Sequence, residues 1–282
     1  MTNNQLMDIN QLKRIGRYII KGVPRVTVKA DIHYTSPSGK LAGKKIIVTG
    51  GGKGLGAAMA EKFVAEGAAV LISGRKENAL KEYAKKIGCQ YLTLDVQDTP
   101  SLDAFISNAD RMLEGADCLV NNAGISLHEP SFFDVTPDTF DSQIATNLRG
   151  GFFLTQSFTK LLLREKRKGN VLFVSSETGE TADIRPYGFT KAALNSLVQG
   201  LACLFVSNGI RVNAVAPGIT ASDMTGFSPD GDLYLAGNAT GRVYLPEEVA
   251  ETACFLLSEA SGCISGQVIV CNNGKTINPR WK

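Results

Sequence analysis

From Lys45 onward, short apolar and β-branched runs alternate with longer stretches whose apolar residues recur at helical spacing. Seven runs read as strands: Lys45–Thr49, Ala68–Ser73, Cys89–Leu94, Cys118–Asn121, Asn170–Ser175, Arg211–Ala216 and Gln267–Cys271. Between them, Gly54–Glu66, Glu77–Ile87, Pro137–Leu163, Tyr187–Ser207 and Glu247–Leu257 read as helices. Gly67, Gly88 and Gly209 stand where helix C-caps fall, and Pro137 and Pro246 where a first-turn proline is tolerated. The alternation predicts an α/β domain, doubly wound, with a seven-stranded parallel sheet and helices on both faces.

Residues 1–40 follow a different pattern. Ile9, Leu12, Ile15 and Ile19 recur at roughly helical spacing among Lys13, Arg14, Arg17, Lys21, Arg25 and Lys29, with Asp8 the acid among them. This basic amphipathic stretch reads as a helix packed on its own domain or a sister subunit, as a membrane-surface helix, or as a targeting peptide. Its lack of serine before Ser36 argues against import. The segment 35–43 reads as a linker, so residues 1–40 are expected to form an extension and residues 41–282 one domain.

The remaining composition narrows the class. A chain of 282 residues, 44% hydrophobic, can bury a substantial core. Thirty basic against twenty-seven acidic residues are spread along it, which leaves no electrostatic footprint for nucleic acid. Cys89, Cys118, Cys203, Cys254, Cys263 and Cys271 show no Cys-x-x-Cys spacing and sit mostly in apolar runs. They read as reduced thiols, and no metal site is expected. With no run approaching a membrane span and no signal-like leader, a soluble cytoplasmic protein is expected.

Chemistry enters after the first strand, where the chain runs into Thr49-Gly50-Gly51-Gly52-Lys53-Gly54-Leu55-Gly56 and then a helix. Such glycines permit a tight turn and close backbone approach, and the helix N-terminus offers free N–H groups to a pyrophosphate. A dinucleotide is the expected ligand. After the second strand stands Arg75, with no acid between Ala68 and Lys76. Arg75 and Lys53 would suit a ribose 2′-phosphate, so NADP(H) is expected over NAD(H).

With these motifs the sequence resembles the short-chain dehydrogenase/reductase family, over about residues 41–277. Thr49 to Gly56 matches that family's cofactor motif. Asp95-Val96 resembles its adenine-side acid, and Asn121-Asn122-Ala123-Gly124 the motif lining the cofactor. Pro217-Gly218 resembles the segment beside the nicotinamide, with Thr220 in place of the usual isoleucine and Ser222 in place of the usual threonine. The resemblance implies a Rossmann fold and a catalytic group of Asn147, Ser176, Tyr187 and Lys191. Tyr187 and Lys191, four apart, share a helix face, and an ammonium beside the phenol would lower its pKa toward the working range of a general acid–base. The resemblance further implies that Lys191 binds the nicotinamide ribose, that Ser176 holds the substrate oxygen, and that Asn147 anchors a relay water. The eleven residues from Ser176 to Tyr187 are fewer than the family commonly shows, which affects the substrate mouth.

The substrate is less legible. The loop 223–245 reads as a mobile lid, and Glu177, Glu180, Asp183 and Arg185 weakly favour a polyhydroxylated or charged substrate. Arg164, Lys166, Arg167 and Lys168 read either as solvated helix-end residues or as a dock for an acidic acyl carrier. The expected activity is therefore NADP(H)-dependent hydride transfer between the nicotinamide and a small carbonyl or alcohol. A 3-oxoacyl-(acyl-carrier-protein) reductase is the alternative, and a catalytically silent dinucleotide sensor is the reading from another class. By resemblance a homodimer or homotetramer is expected.

Overall fold

A computed structural model describes residues 27–29 and 38–277. The amphipathic pattern of residues 9–25 lies outside the described residues. The chain forms seven strands: β1 (Lys45–Thr49), β2 (Ala69–Gly74), β3 (Gln90–Thr93), β4 (Cys118–Asn121), β5 (Gly169–Val174), β6 (Ile210–Pro217) and β7 (Val268–Cys271). All pair in parallel, in the order β3-β2-β1-β4-β5-β6-β7. The helices are α1 (Gly54–Ala65), α2 (Glu77–Ile87), α3 (Leu102–Met112), α4 (Pro137–Gln143), α5 (Gly151–Arg164), α6 (Pro186–Phe205) and α7 (Pro246–Leu257). Element bounds lie within about two residues of the sequence reading, with two differences.

The sequence reading passed over α3, although Leu102, Phe105, Ile106, Ala109 and Leu113 recur at helical spacing and all enter the core. The stretch read as one helix, Pro137–Leu163, is interrupted. Thr136 caps α4 through a hydroxyl that accepts the Thr139 N–H, and residues Ile144–Gly150 then widen into a π-helix before α5. There Gly150 comes so close to Val96 that a Cβ would lie 2.7 Å from the Val96 carbonyl oxygen.

Strand side chains alternate between two cores, as the two-residue period requires. Ile47, Leu119, Val171 and Phe173 face α3, α5 and α6. Ile46, Val48, Val120, Leu172 and Val174 face α1, α2 and α7. Helix α6, continuing to Asn208, has the length and apolar character of a membrane span, contrary to the sequence reading. It buries Leu194, Val198, Ala202 and Phe205 in the first core and carries Lys191, which makes it a core helix of this domain. Of the six cysteines, Cys203 and Cys263 are exposed rather than buried, and all six are free thiols.

Contacts with the domain extend to residues before 41. Ser38 and Lys40 each donate a backbone N–H to one oxygen of the buried Glu66 carboxylate, at 3.1 and 3.0 Å. Leu41 is fully buried.

Candidate active site

Strand order reverses between β1 and β4, and ligands of such sheets bind beyond the carboxyl ends of the strands at that point. The expected site residues lie along that edge, at the strand ends, in the turns after them and on the helices that follow. After β1, the glycine loop turns into α1, which has neither a side-chain cap at Lys53 nor an acid in its first turn. Its first N–H groups are therefore open to an anion. Gly56 must be glycine because a Cβ would fall 2.3 Å from the Gly50 carbonyl oxygen and 2.4 Å from Asn122 Nδ2. Asn122 in turn donates to the Thr49 and Gly50 carbonyls, and the Thr49 hydroxyl accepts the N–H groups of Asn122 and Ala123. The loops after β1 and β4 are thus locked together beneath a cradle that fits a pyrophosphate.

The two cations expected at the adenosine end differ. Arg75 is exposed just past β2. Lys53 pairs instead with Asp223 at 3.0 Å, across to the loop after β6. Asp95 caps its own turn by accepting the Gln97 N–H at 3.0 Å, and Val96 packs on Gly150. Beyond β6, Thr220 Oγ1 donates to the Gly218 carbonyl, and the Ser222 hydroxyl lies 3.3 Å from both the Thr220 carbonyl and Thr225 Oγ1. Pro217 and Gly218 are buried.

The four expected catalytic residues converge. Ser176, two residues past β5, lies beside the Tyr187 phenol. Lys191 Nζ lies 5.4 Å from the Tyr187 ring centroid and donates to the Val174 carbonyl at 2.7 Å. Asn147 lies inside the π-helical stretch, where its Oδ1 accepts the Ile125 N–H and its Nδ2 donates to the Ile125 carbonyl, each at 2.8 Å. Nδ2 also reaches Thr190 Oγ1 at 3.3 Å. A Cβ at Gly124 would sit 3.4 Å from Asn147 Oδ1 and 3.8 Å from Lys191 Nζ, so this glycine keeps the two close. Thr146, Asn147, Lys191 and Asn121 line a small enclosed cavity of a size suited to one water.

The connection from Ser176 to Tyr187, though short, closes. Residues Glu177–Glu180 form one 3₁₀ turn, and Gly188 admits Asp183, whose Cβ would be 2.4 Å from any Cβ at that position. Asn195 holds the turn from α6 by bonding Ser175 Oγ, the Gly179 carbonyl and Glu180. The charges of this connection are engaged within the protein. Glu177 is bound by Lys275 and Asn272, and Asp183 by Arg185. They give no separate argument for a charged substrate. The basic tract is similarly reduced, since Arg167 is pinned to Asp110, Glu165 and the Ala116 carbonyl.

Protonation differs from the sequence reading. Burial raises the Tyr187 phenol, opposed by the Ser176 hydroxyl and by the Arg185 guanidinium. Lys191 is held down to about 8 by burial. The lysine ammonium is directed at Val174, so desolvation rather than mutual attraction governs both groups. Thr190, Ile125, Val174, Asn195 and Arg185 are the supporting residues missed in the sequence. Only Arg185, two residues before the tyrosine, carried a readable signal.

A parallel sheet of this order, an open helix N-terminus after β1, and a Ser–Tyr–Lys cluster at the same edge define a nicotinamide-dependent oxidoreductase. The chain belongs to the short-chain dehydrogenase/reductase family. The family model described as enoyl-(acyl carrier protein) reductase matches residues 50–276. A tropinone reductase homolog of Arabidopsis thaliana is 34% identical over 249 residues, covering 84% of this chain and 93% of the relative. The 3-oxoacyl-[acyl-carrier-protein] reductase FabG of Aquifex aeolicus is 32% identical, covering 83% and 98%. A short-chain type dehydrogenase/reductase from Mycobacterium marinum has a similar structure, with a TM-score of 0.77 at 27% identity, over 84% of this chain and 97% of that one.

Proposed function

We propose that this protein is an NADPH-dependent reductase of small carbonyl compounds, with Tyr187 as general acid. The observation that carries the reading is the placement of Lys191 Nζ 5.4 Å over the Tyr187 ring, with Ser176 beside the phenol. The cofactor supplies the hydride. Tyr187 gives its proton to the carbonyl oxygen, and Ser176 holds that oxygen as charge develops on it. Lys191, anchored on Val174, presents its ammonium behind the phenol, and proton replacement follows the cavity it shares with Asn147. Asn147 supports this by fixing the Ile125 backbone and, through Thr190, the first turn of α6. Arg75 supports the choice of NADPH, because no acid on β2 or the turn after it opposes a 2′-phosphate.

A 3-oxoacyl thioester is the second reading, favoured by the similarity to the Aquifex enzyme. The complete four-residue group argues against a silent sensor. Exposed Phe152 and Phe153 on α5 and Leu204 on α6 support self-association through these helices. The test is NADPH and NADH oxidation with tropinone, cyclohexanone, a 3-oxosteroid and an acetoacetyl thioester. Turnover of at least one carbonyl, faster with NADPH, is expected. No turnover of any of them with either cofactor would overturn the reading.

A further inference from the structure

The loop after β6 meets a part of the chain that precedes the family match. Between Ile219 and Leu245 this loop builds its own small core from Ala221, Leu233 and Val243, with Phe227 and Leu235 packed on it. The Val243 N–H donates to the Leu233 carbonyl and the Leu235 N–H to the Gly241 carbonyl, each at 2.9 Å, which closes a short hairpin. The free edge of that hairpin is taken by Val28. Its carbonyl accepts the Leu233 N–H at 3.1 Å, and its N–H donates at 3.1 Å to Asp232 Oδ1, which also accepts the Tyr234 N–H. Among the described residues, this is the one main-chain hydrogen bond joining residues 223–243 to any residue outside 218–245.

Leu233 is therefore bonded on both sides, to Val28 through its N–H and to Val243 through its carbonyl. Its side chain is buried against Ala221, the residue before Ser222. The following residues reach the site from opposite sides. Asp223 pairs with Lys53 of the glycine loop, and the Met224 carbonyl lies 2.7 Å from His128 Nε2 on the loop after β4. His128 holds a left-handed φ of 54°, a strained backbone for that residue. A loop with so few buried side chains opens readily unless its backbone is paired elsewhere. An added strand supplies such pairing through main-chain bonds.

We propose that Thr27–Lys29 is part of the substrate site: it adds a strand to the loop 219–245 and holds that loop in place, with Val28 and Asp232 as positioning residues. The proposal rests on reading 223–245, the greater part of this loop, as the substrate lid of the reductase proposed above.

The test uses the full chain. Val28→Pro removes the N–H given to Asp232, Asp232→Ala removes its acceptor, and Asp232→Asn keeps an acceptor oxygen. Amide exchange at Leu233 reports the strap directly, and steady-state kinetics with NADPH and the fastest carbonyl of the panel report its effect. Val28→Pro and Asp232→Ala are expected to speed Leu233 exchange at least tenfold and to raise KM for the carbonyl about five- to tenfold. The turnover number should stay within threefold, and Asp232→Asn should restore both readouts. Unchanged exchange in both disrupting variants would overturn the strap. Faster exchange with unchanged KM would overturn its role at the site. A wild type that reduces no carbonyl would overturn the reductase reading instead, and exchange would then decide the strap by itself.

Discussion

Lys191 Nζ donates to the Val174 carbonyl at 2.7 Å while standing 5.4 Å above the centroid of the Tyr187 ring. One bond to a strand carbonyl thus fixes the cation that faces the proposed acid. Burial holds the lysine to about 8, against 10.5 in an open chain. For a cation, a lowered folded value means that the fold carries a penalty while the amine is charged. The penalty is full below pH 8 and is relieved as pH rises from 8 to about 10.5, where only the unfolded chain remains protonated. Its size is on the order of 3 kcal/mol. Lys191→Met should remove it, offset by about 1–2 kcal/mol for the Val174 carbonyl left without a donor. The variant is expected to melt a few degrees higher than wild type at pH 7, to lack the wild type's gain in Tm between pH 8 and 10, and to be nearly inactive. Melting curves across that range check it, and a variant less stable than wild type at pH 7 would contradict it.

Tyr187→Phe keeps the ring and deletes the hydroxyl beside Ser176. The fold and NADPH binding should persist while turnover falls by about 10²–10⁴-fold, the usual loss of a general acid. Arg185 gives the same site a finer test. Its guanidinium lowers the phenol against the upward push of burial. In the oxidation direction the ionised tyrosine acts as base, so activity should rise with pH as the phenol deprotonates. Arg185→Met should move that rise to higher pH, with little change in the plateau rate. A rise unmoved in the variant would show that the ionisation belongs to another group.

Arg75 is exposed at the adenosine end, with no ion pair among the described residues, whereas Lys53 is already paired with Asp223. Arg75 should therefore carry most of the cofactor preference. NADPH is expected to bind at least tenfold more tightly than NADH, about 1.4 kcal/mol, and Arg75→Ala should remove most of that margin while leaving NADH nearly unchanged. Asp223→Asn should release Lys53 and tighten NADPH about two- to threefold, an effect that fades as salt rises because the pair is exposed. Equal dissociation constants for the two cofactors in the wild type, measured by fluorescence titration, would refute the assignment.

Much of this was legible in the sequence because strands and glycine turns leave local marks. The β-branched runs gave β1 to β7 almost to the residue, and the spacing of Ser176, Tyr187 and Lys191 survives in the folded cluster. What escaped depends on contacts between distant segments. The π-helical stretch that aims Asn147 at Ile125 is set by Gly150 against Val96, 54 residues earlier (150 − 96), and nothing near Asn147 announces it. The protonation of Tyr187 was misread for the same reason. Helical spacing puts Lys191 beside it, but the choice of Val174 as the lysine's partner comes from β5.

The start of the domain offers a test that needs no substrate. Glu66 is fully buried and receives Lys62 at 3.0 Å together with the N–H groups of Ser38 and Lys40. Burial alone would raise its carboxyl, yet these donors prevail and lower it to about 2, from 4.5. A lowered carboxyl stabilises the fold fully above the unfolded value and loses that contribution as pH falls from about 4.5 toward 2. The contribution is on the order of 3 kcal/mol. Cutting the chain before Leu41 removes the two backbone donors, whereas cutting before Ser38 keeps them. The longer product should match the full chain in acid unfolding. The shorter one should melt several degrees lower at pH 7, and the difference should shrink as pH falls from about 4.5 toward 2, where the carboxyl protonates in both. Glu66→Gln in the full chain should lower Tm at pH 7 in the same direction and flatten the acid limb. If both truncations melted together at pH 7, Ser38 and Lys40 would not belong to the domain.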